Sequence, residues 1–311
     1  MNRPLLEAAP LWVKAAAPLI RRMPVARYRA AQAVSRHAPA PFWARLPADI
    51  GGGLFRCDLR DPLMSEAYLT GRYEPQETAL LRRILRPGMT FVDVGANWGY
   101  FTLMAFDAVG PSGTVLSVEA DPRAAGALRA NLDANGFDSA RVFAVAAADR
   151  AGRLSMQDYL PGAGELGNFG LAQATTLTPG GRAFEIAARP LDDVLDEAGV
   201  EQVDLLKMDI EGAEASALEG LARRLGGGRV TRILLELHEY HLRDLGRSAA
   251  EVVRSLGAHG YHAWRIDHSP AAHRRAVSAR FDPARLLSPL GSGEALGAWP
   301  HVLCSREARP W

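Results

Sequence analysis

The stretch Thr90-Phe-Val-Asp-Val-Gly-Ala-Asn-Trp-Gly-Tyr-Phe-Thr102 constrains this chain more than any other. Phe91 to Val94 is an apolar run of β propensity that carries one acid, Asp93, and stops at Gly95. Gly99 comes four residues later, and the next segment reads as a helix to about Phe106. A strand, a tight glycine turn and a helix start, in that order, let a ligand approach backbone N–H groups that a Cβ would block. The spacing then discriminates between ligands. A dinucleotide turn needs Gly-x-Gly-x-x-Gly to hold a pyrophosphate. Here the spacing is Gly-x-x-x-Gly, with Asn97 at the middle position and Asp93 beside the turn. A carboxylate there repels a pyrophosphate and suits a cationic ligand with an amino group. S-adenosylmethionine (SAM), which carries a sulfonium and an ammonium, is such a ligand.

Around this turn strands and helices alternate. Leu80, Leu81, Ile84 and Leu85 give a helical face that Pro75 starts and Arg86-Pro87-Gly88 ends. Thr114–Glu119 reads as a strand, Pro122–Asn135 as a helix stopped at Gly136, and Arg141–Ala146 as a third strand. Further strands are expected at 153–157, 183–188, 203–208, 232–237, 261–266 and 299–304. Helices are expected at 191–198, from 214 to about 225, and at 249–259. This pattern predicts an α/β fold with a mainly parallel sheet covered on both faces. Ligands of such sheets bind beyond the C-terminal strand ends. Residues 158–182 are rich in Gly, Pro and Thr and read as a long binding loop or lid whose Leu166, Phe169 and Leu171 could dock, rather than as a disordered insertion.

Of the 311 residues, 48% are apolar and the net charge is +1, so a sizeable soluble core is expected and a basic nucleic-acid surface is not. Two cysteines, Cys57 and Cys304, are too few for a disulfide or metal framework and fit a cytoplasmic setting. No apolar run is long enough to span a bilayer. Residues 1–50 read as an N-terminal helical extension ahead of a domain over 51–311 with its core at 70–240. Trp12, Ile20, Lys14, Arg21 and Arg22 in this arm fit weak contact with a membrane surface, or packing on the domain or on a second copy of the chain. Packing is the favoured reading, because Pro10, Pro18 and Pro24 interrupt any long helix.

Glu119 ends the second strand, where an acid accepts hydrogen bonds from a ribose diol. Asp149 follows the third strand, although Asp149-Arg-Ala-Gly152 also reads as a plain turn. Asp209-Ile-Glu-Gly-Ala-Glu214 follows the strand at 203–208, and Leu235-Glu-Leu-His238 ends the next. These motifs, with Tyr73-Glu-Pro75, Asp93–Gly99, Glu119-Ala-Asp-Pro122 and Asn131–Gly136, resemble the FkbM family of SAM-dependent methyltransferases. The resemblance covers about residues 70–240. It implies a class I methyltransferase, Rossmann-like sheet of seven strands, one antiparallel, and O-methylation of a small molecule or a sugar. It also implies that Asp93, Gly95, Asn97 and Gly99 frame the methionine part of SAM. Glu119 would hold the ribose, Asp149 would lie near the adenine, and Tyr73 and Glu74 would close over the cofactor.

Methyl transfer from a sulfonium to an alcohol needs positioning and a proton acceptor. His238 and Glu211 are the candidates, with His241 a weaker one. Asp209 is expected to bond the SAM amino group or the Gly95 loop. A metal trio of Asp209, Glu211 and His238 is an alternative that no tight motif supports, so no metal is expected. A non-catalytic SAM-binding module and an NAD-dependent oxidoreductase are the rival classes. A nucleic-acid methyltransferase is disfavoured, because no motif for a flipped base follows the strand at 203–208.

Overall fold

The computed structural model describes residues 9–23, 27–158, 171–172, 183–278, 280–291 and 294–311. Thr90–Val94 lies within an eight-stranded sheet. From one edge to the other the strands are Leu287–Pro289, His262–Ile266, His301–Ser305, Val230–Glu236, Val203–Met208, Thr90–Val94, Thr114–Val118 and Val142–Phe143. The last five in that order pair in parallel. His301–Ser305 runs antiparallel between Val230–Glu236 and His262–Ile266. Seven strands with one antiparallel member are therefore present as expected. The three-residue strand Leu287–Pro289 is added antiparallel at the outer edge.

The alternation of side chains along each strand separates two cores. Phe91, Val115, Leu205, Leu234 and Leu303 belong to one, which includes buried residues of helices Leu11–Arg21, Pro75–Ile84, Tyr100–Val109 and Pro122–Asn135. Val92, Leu116, Leu206, Leu235 and Val302 belong to the other, with Leu191–Glu197, Glu214–Glu219 and Ala249–Ala258. Burial on both faces is why these strands are continuous apolar runs in the sequence. The helix ends follow local chemistry. Pro122 stands in the first turn, the Asp121 carboxylate caps the Arg123 N–H, and Gly136 closes the helix at φ 73°.

Several expectations are corrected. The third strand does not run unbroken through 141–146. Val142–Phe143 joins the main sheet, whereas Ala146–Ala147 pairs with Ala183–Arg189 in a separate small sheet containing Gly152–Asp158 and Leu171–Ala172. The helix expected from 214 to 225 is two helices, Glu214–Glu219 and Ala222–Gly226. Between them the chain passes so close to the Ala148 carbonyl that a Cβ on Gly220 would lie 2.0 Å from its oxygen. Residues 267–297 contain a helix, Pro270–Ala276, as well as the edge strand. Pro18 sits inside helix Leu11–Arg21 instead of ending it.

The chain before residue 51 is woven into the domain. Phe42–Arg45 pairs antiparallel with Leu54–Cys57, and Val13, Ala17, Ile20 and Ala31 are buried in the core that holds Phe91. The arm thus packs on its own domain, while Leu11 and Leu19 remain 84% and 63% exposed. Among the described residues no helix is long and apolar enough to cross a membrane. The lid reading of 158–182 falls, apart from Asp158 and 171–172, outside the described residues.

Candidate active site

Thr90–Val94 is the point where the strand order reverses, because its neighbours Thr114–Val118 and Val203–Met208 lie on opposite sides. A cleft opens at the C-terminal ends of these three strands. Gly95, Asn97, Glu119, Asp209, Glu211, Tyr73 and Glu74 all line it, so seven of the residues singled out from the sequence converge. Gly95 has φ 81°, and a Cβ there would lie 1.9 Å from the Asp209 carbonyl oxygen. The glycine therefore lets the first turn nest against the end of Val203–Met208.

Three non-glycine residues have positive φ among the described residues: Glu74 at 39°, Asn97 at 50° and Glu211 at 54°. All three line this cleft. Left-handed backbone costs an L-residue roughly 1–2 kcal/mol. Three such residues around one cavity mark it as the place where the fold tolerates strain. Asn97 is held by its N–H, which donates to Glu119 Oε2 at 2.7 Å, while Asn97 Oδ1 accepts from the Trp98 N–H at 2.8 Å. Glu119 Oε1 accepts from the Asp121 N–H at 2.8 Å. Glu119 thereby ties the glycine turn to the second strand end. Burial raises its pKa to about 7, against these two backbone bonds.

Carboxylates dominate the cleft. Glu74, Glu119, Asp121, Asp209, Glu211 and Glu236 line it together with Lys207. The Lys207 ammonium stands 3.5 Å from Asp209 Oδ2 and 4.7 Å from the centroid of the Phe101 ring. Burial opposes its charge, but Asp209, Glu74, Asp93 and Glu236 outweigh burial and hold its pKa above the ordinary value. Burial lifts Glu74 to about 7, with Lys207 acting against the shift. Glu236 is pushed far above the carboxylate range by burial and by Asp209 and Glu74. Glu74 Oε2 is buried without a hydrogen-bond partner. Lys207 and Glu236 were not singled out as cofactor groups from the sequence, where each is a polar residue near the end of a largely apolar strand.

Four expected site residues lie elsewhere. Asp93 is buried beneath the cleft, not in its lining, and accepts from Thr102 Oγ1 at 2.7 Å. Its pKa is raised, chiefly by burial. Gly99 does not line the cleft either; a Cβ there would meet Leu128 Cδ1 at 2.3 Å, so this glycine serves helix packing. Asp149 is a turn residue outside the lining. Its N–H donates to Ser216 Oγ at 3.0 Å and its carboxylate faces Arg150 at 3.3 Å. His238 is buried behind the lining, with Nδ1 3.1 Å from Glu214 Oε1 and Nε2 3.4 Å from Glu211 Oε2. Burial disfavours its charge, but the bond to Glu214 and the nearness of Glu211 and Asp209 prevail and raise its pKa. A histidine held in its charged form is a poor proton acceptor. Glu211 is the member of the pair that faces the cleft, and burial raises its pKa despite His238.

Among the described residues, ligand-type side chains also gather in two groups, Asp209 with Glu236 and His238, and Glu77 with His268 and His301. In each group one ligand atom from every member lies within 4.8 Å of the others. The trio weighed from the sequence had Glu211 where the structure brings in Glu236.

Residues 93–263 match the family model described as the methyltransferase FkbM domain. The 2-O-methyltransferase NoeI of Sinorhizobium fredii is 32% identical over 148 residues, covering 43% of this chain and 58% of that protein. The chain thus spans less than two thirds of NoeI. The 31-O-demethyl-FK506 methyltransferase FkbM of Streptomyces tacrolimicus is 31% identical over 201 residues, covering 57% of this chain and 74% of that protein. A fibrillarin of Aeropyrum pernix with natively bound S-adenosyl-L-methionine is 15% identical, over 73% of this chain and 72% of its own, at a TM-score of 0.37.

Proposed function

The chain belongs to the FkbM methyltransferase family, and from that premise we propose that it transfers the methyl group of S-adenosylmethionine to a hydroxyl of a small-molecule or sugar acceptor. The observation that carries the choice of cofactor is the set of carboxylates in the cleft at the strand-order reversal. Six acids line the cleft with one lysine, and those that ionise repel a dinucleotide pyrophosphate and attract a sulfonium and an ammonium. The NAD reading loses ground for the same reason.

The cleft passes two tests of fit. Glu74 Oε2 is a buried acceptor with no partner, suited to an ammonium N–H. Asp209 and Glu211 line the same cleft as further carboxylates suited to a cation. When bound, SAM supplies an electrophilic methyl on a good leaving group. The protein's part is to hold and orient. Glu74 takes the amino end. Glu119 keeps unused lone pairs for the ribose diol beyond its two backbone bonds. Val145, Ala147, Met156 and Phe184 form an apolar wall beyond Glu119 for the base. Glu211 receives the acceptor's proton on its carboxylate, and His238 behind it fixes that carboxylate and balances its charge.

Both curated relatives are O-methyltransferases by name, which supports an oxygen nucleophile. The test is transfer of labelled methyl from SAM into polysaccharide, lipid and small-molecule fractions, with calorimetry of SAM binding alongside. Label in one fraction identifies the acceptor class. Glu211→Gln is expected to lower kcat by about 100-fold with SAM affinity nearly unchanged. SAM binding without transfer to any fraction would favour a binding module, and absence of SAM binding would sink the proposal.

A further inference from the structure

We propose that Glu77, His268 and His301 form a binding site for one divalent transition-metal ion of the zinc class. The three come from separate parts of the fold. Glu77 is in the first turn of helix Pro75–Ile84, His268 follows strand His262–Ile266, and His301 opens strand His301–Ser305. His268 Nε2 lies 2.7 Å and His301 Nδ1 2.9 Å from the same oxygen, Glu77 Oε1. Two imidazoles gathered on one carboxylate, with ligand atoms within 4.8 Å of one another, are a donor set for Zn²⁺, Fe²⁺ or Mn²⁺, and a poor one for Mg²⁺ or Ca²⁺.

Two further observations point to a ligand. Glu77 is 2% exposed, and its second oxygen, Oε2, is buried with no hydrogen-bond partner. A buried carboxylate oxygen left empty costs stability unless something positive meets it. His301 also turns its other nitrogen, Nε2, toward Glu236 Oε1 at 3.6 Å. Histidines that ligate metals commonly give their second N–H to a carboxylate, which orients the ring and strengthens the donor. The surroundings are acidic as well, with Glu74, Asp209 and Glu236 near and Lys207 as their cationic counterpart.

The two imidazole rings are stacked, with centroids 3.6 Å apart. Both nitrogens can take one ion only if the rings splay. His268 can supply that motion, since its side chain is 30% exposed and it lies in the loop after its strand. Metal entry then displaces the protons on the two bonding nitrogens. Without an ion, the same trio is a closed hydrogen-bonded cluster with one idle oxygen. This inference does not rest on the methyl-transfer reading, and its readout is metal binding alone.

The test uses the full chain stripped with a chelator, then dialysed against Zn²⁺ and titrated with Co²⁺. The expected result is about one zinc retained per chain and visible ligand-field absorption from bound cobalt. Excess Mg²⁺ should not displace either ion. His268→Ala and Glu77→Gln should each weaken binding by about tenfold or more. His238→Ala, in the neighbouring group, should leave it intact. His268 is partly exposed, so its variant is expected to fold even if His301→Ala does not, and circular dichroism checks this. The proposal is overturned if no stoichiometric zinc is retained. It is equally overturned if His268→Ala binds like the parent, or if only His238→Ala loses the metal.

Discussion

At the scale of single residues, two glycines of similar conformation serve different ends. Gly95 and Gly136 have φ of 81° and 73°. A Cβ on Gly95 would strike the Asp209 carbonyl at 1.9 Å, whereas nothing lies within 4 Å of one on Gly136. Gly136→Ala should therefore lose only the left-handed penalty, about 1–2 kcal/mol in urea unfolding. Gly95→Ala should lose distinctly more and also abolish SAM binding, since the first turn must move off the neighbouring strand end. Equal losses for the two variants would refute this account of the turn. Glu74 carries a different prediction. Its pKa, raised to about 7 by burial, means that the carboxyl is partly protonated at neutral pH in the ligand-free protein. A cationic ligand binds the ionised form, so SAM affinity should rise as pH climbs through about 7. Calorimetry at several pH values should show the rise, and Glu74→Gln should bind more weakly and flatten it. An affinity indifferent to pH would remove Glu74 from the ammonium site.

At the scale of elements, the central strands were legible because burial on both faces makes each an apolar run, punctuated by the glycines and prolines that end the neighbouring helices. Thr90–Val94, Thr114–Val118 and Val203–Met208 were placed in this way, and with them the rim where ligands bind. The split of the third strand was not legible, because Val142 to Ala147 is one apolar run and only tertiary pairing assigns its halves to two sheets. The cluster of Glu77, His268 and His301 was equally hidden. Glu77 and His268 are 191 positions apart, and no local spacing reports on such a meeting. Asp149 was expected near the adenine from its position after a strand; in the fold Ser216 and Arg150 hold it in a turn outside the cleft lining. The N-terminal extension, read from the sequence as a helical arm that packs, also holds a strand: Phe42–Arg45 pairs with Leu54–Cys57, and Val13, Ile20 and Phe42 are buried. Deleting residues 1–50 should therefore leave an insoluble or molten chain, since the deletion strips several fully buried side chains from one core. Sedimentation and near-UV circular dichroism check this, and a soluble, cooperatively folding fragment would show that the domain does not need the arm.

At the scale of the whole molecule, a net charge of +1 conceals an uneven distribution, with acids concentrated inside and around one cleft. The consequence is a definite pH dependence of stability. Burial raises Asp61 to about 6 and Glu66, Glu74 and Glu119 to about 7. Over the interval between the ordinary carboxylate values and these raised ones, the folded chain holds protons that the unfolded chain has released. Stability must then fall as pH increases. His238 and His301 act in the same direction, while the lowered values of His241 and His273 oppose it below neutrality. The two raised values contribute stability that is full below the ordinary imidazole pKa and lost as pH rises through the folded one. The acids with depressed values, Glu77, Asp196 and Asp267, contribute stability that is already complete above the ordinary carboxylate range, so they add no slope near neutrality. The ligand-free protein should therefore melt at a higher temperature at about pH 5.5 than at about pH 8, at constant ionic strength. Saturating SAM should reduce the difference. Its positive charges meet Glu74 and its neighbours, lower their folded values toward the unfolded ones, and add a binding contribution that grows as these acids ionise. Thermal melts across this range, with and without SAM, measure both effects. A melting temperature that is flat or rises toward alkaline pH in the ligand-free protein would mean that the acids of the cleft are already ionised there, and that the cleft is prepared for its cation by charge held in place before the ligand arrives.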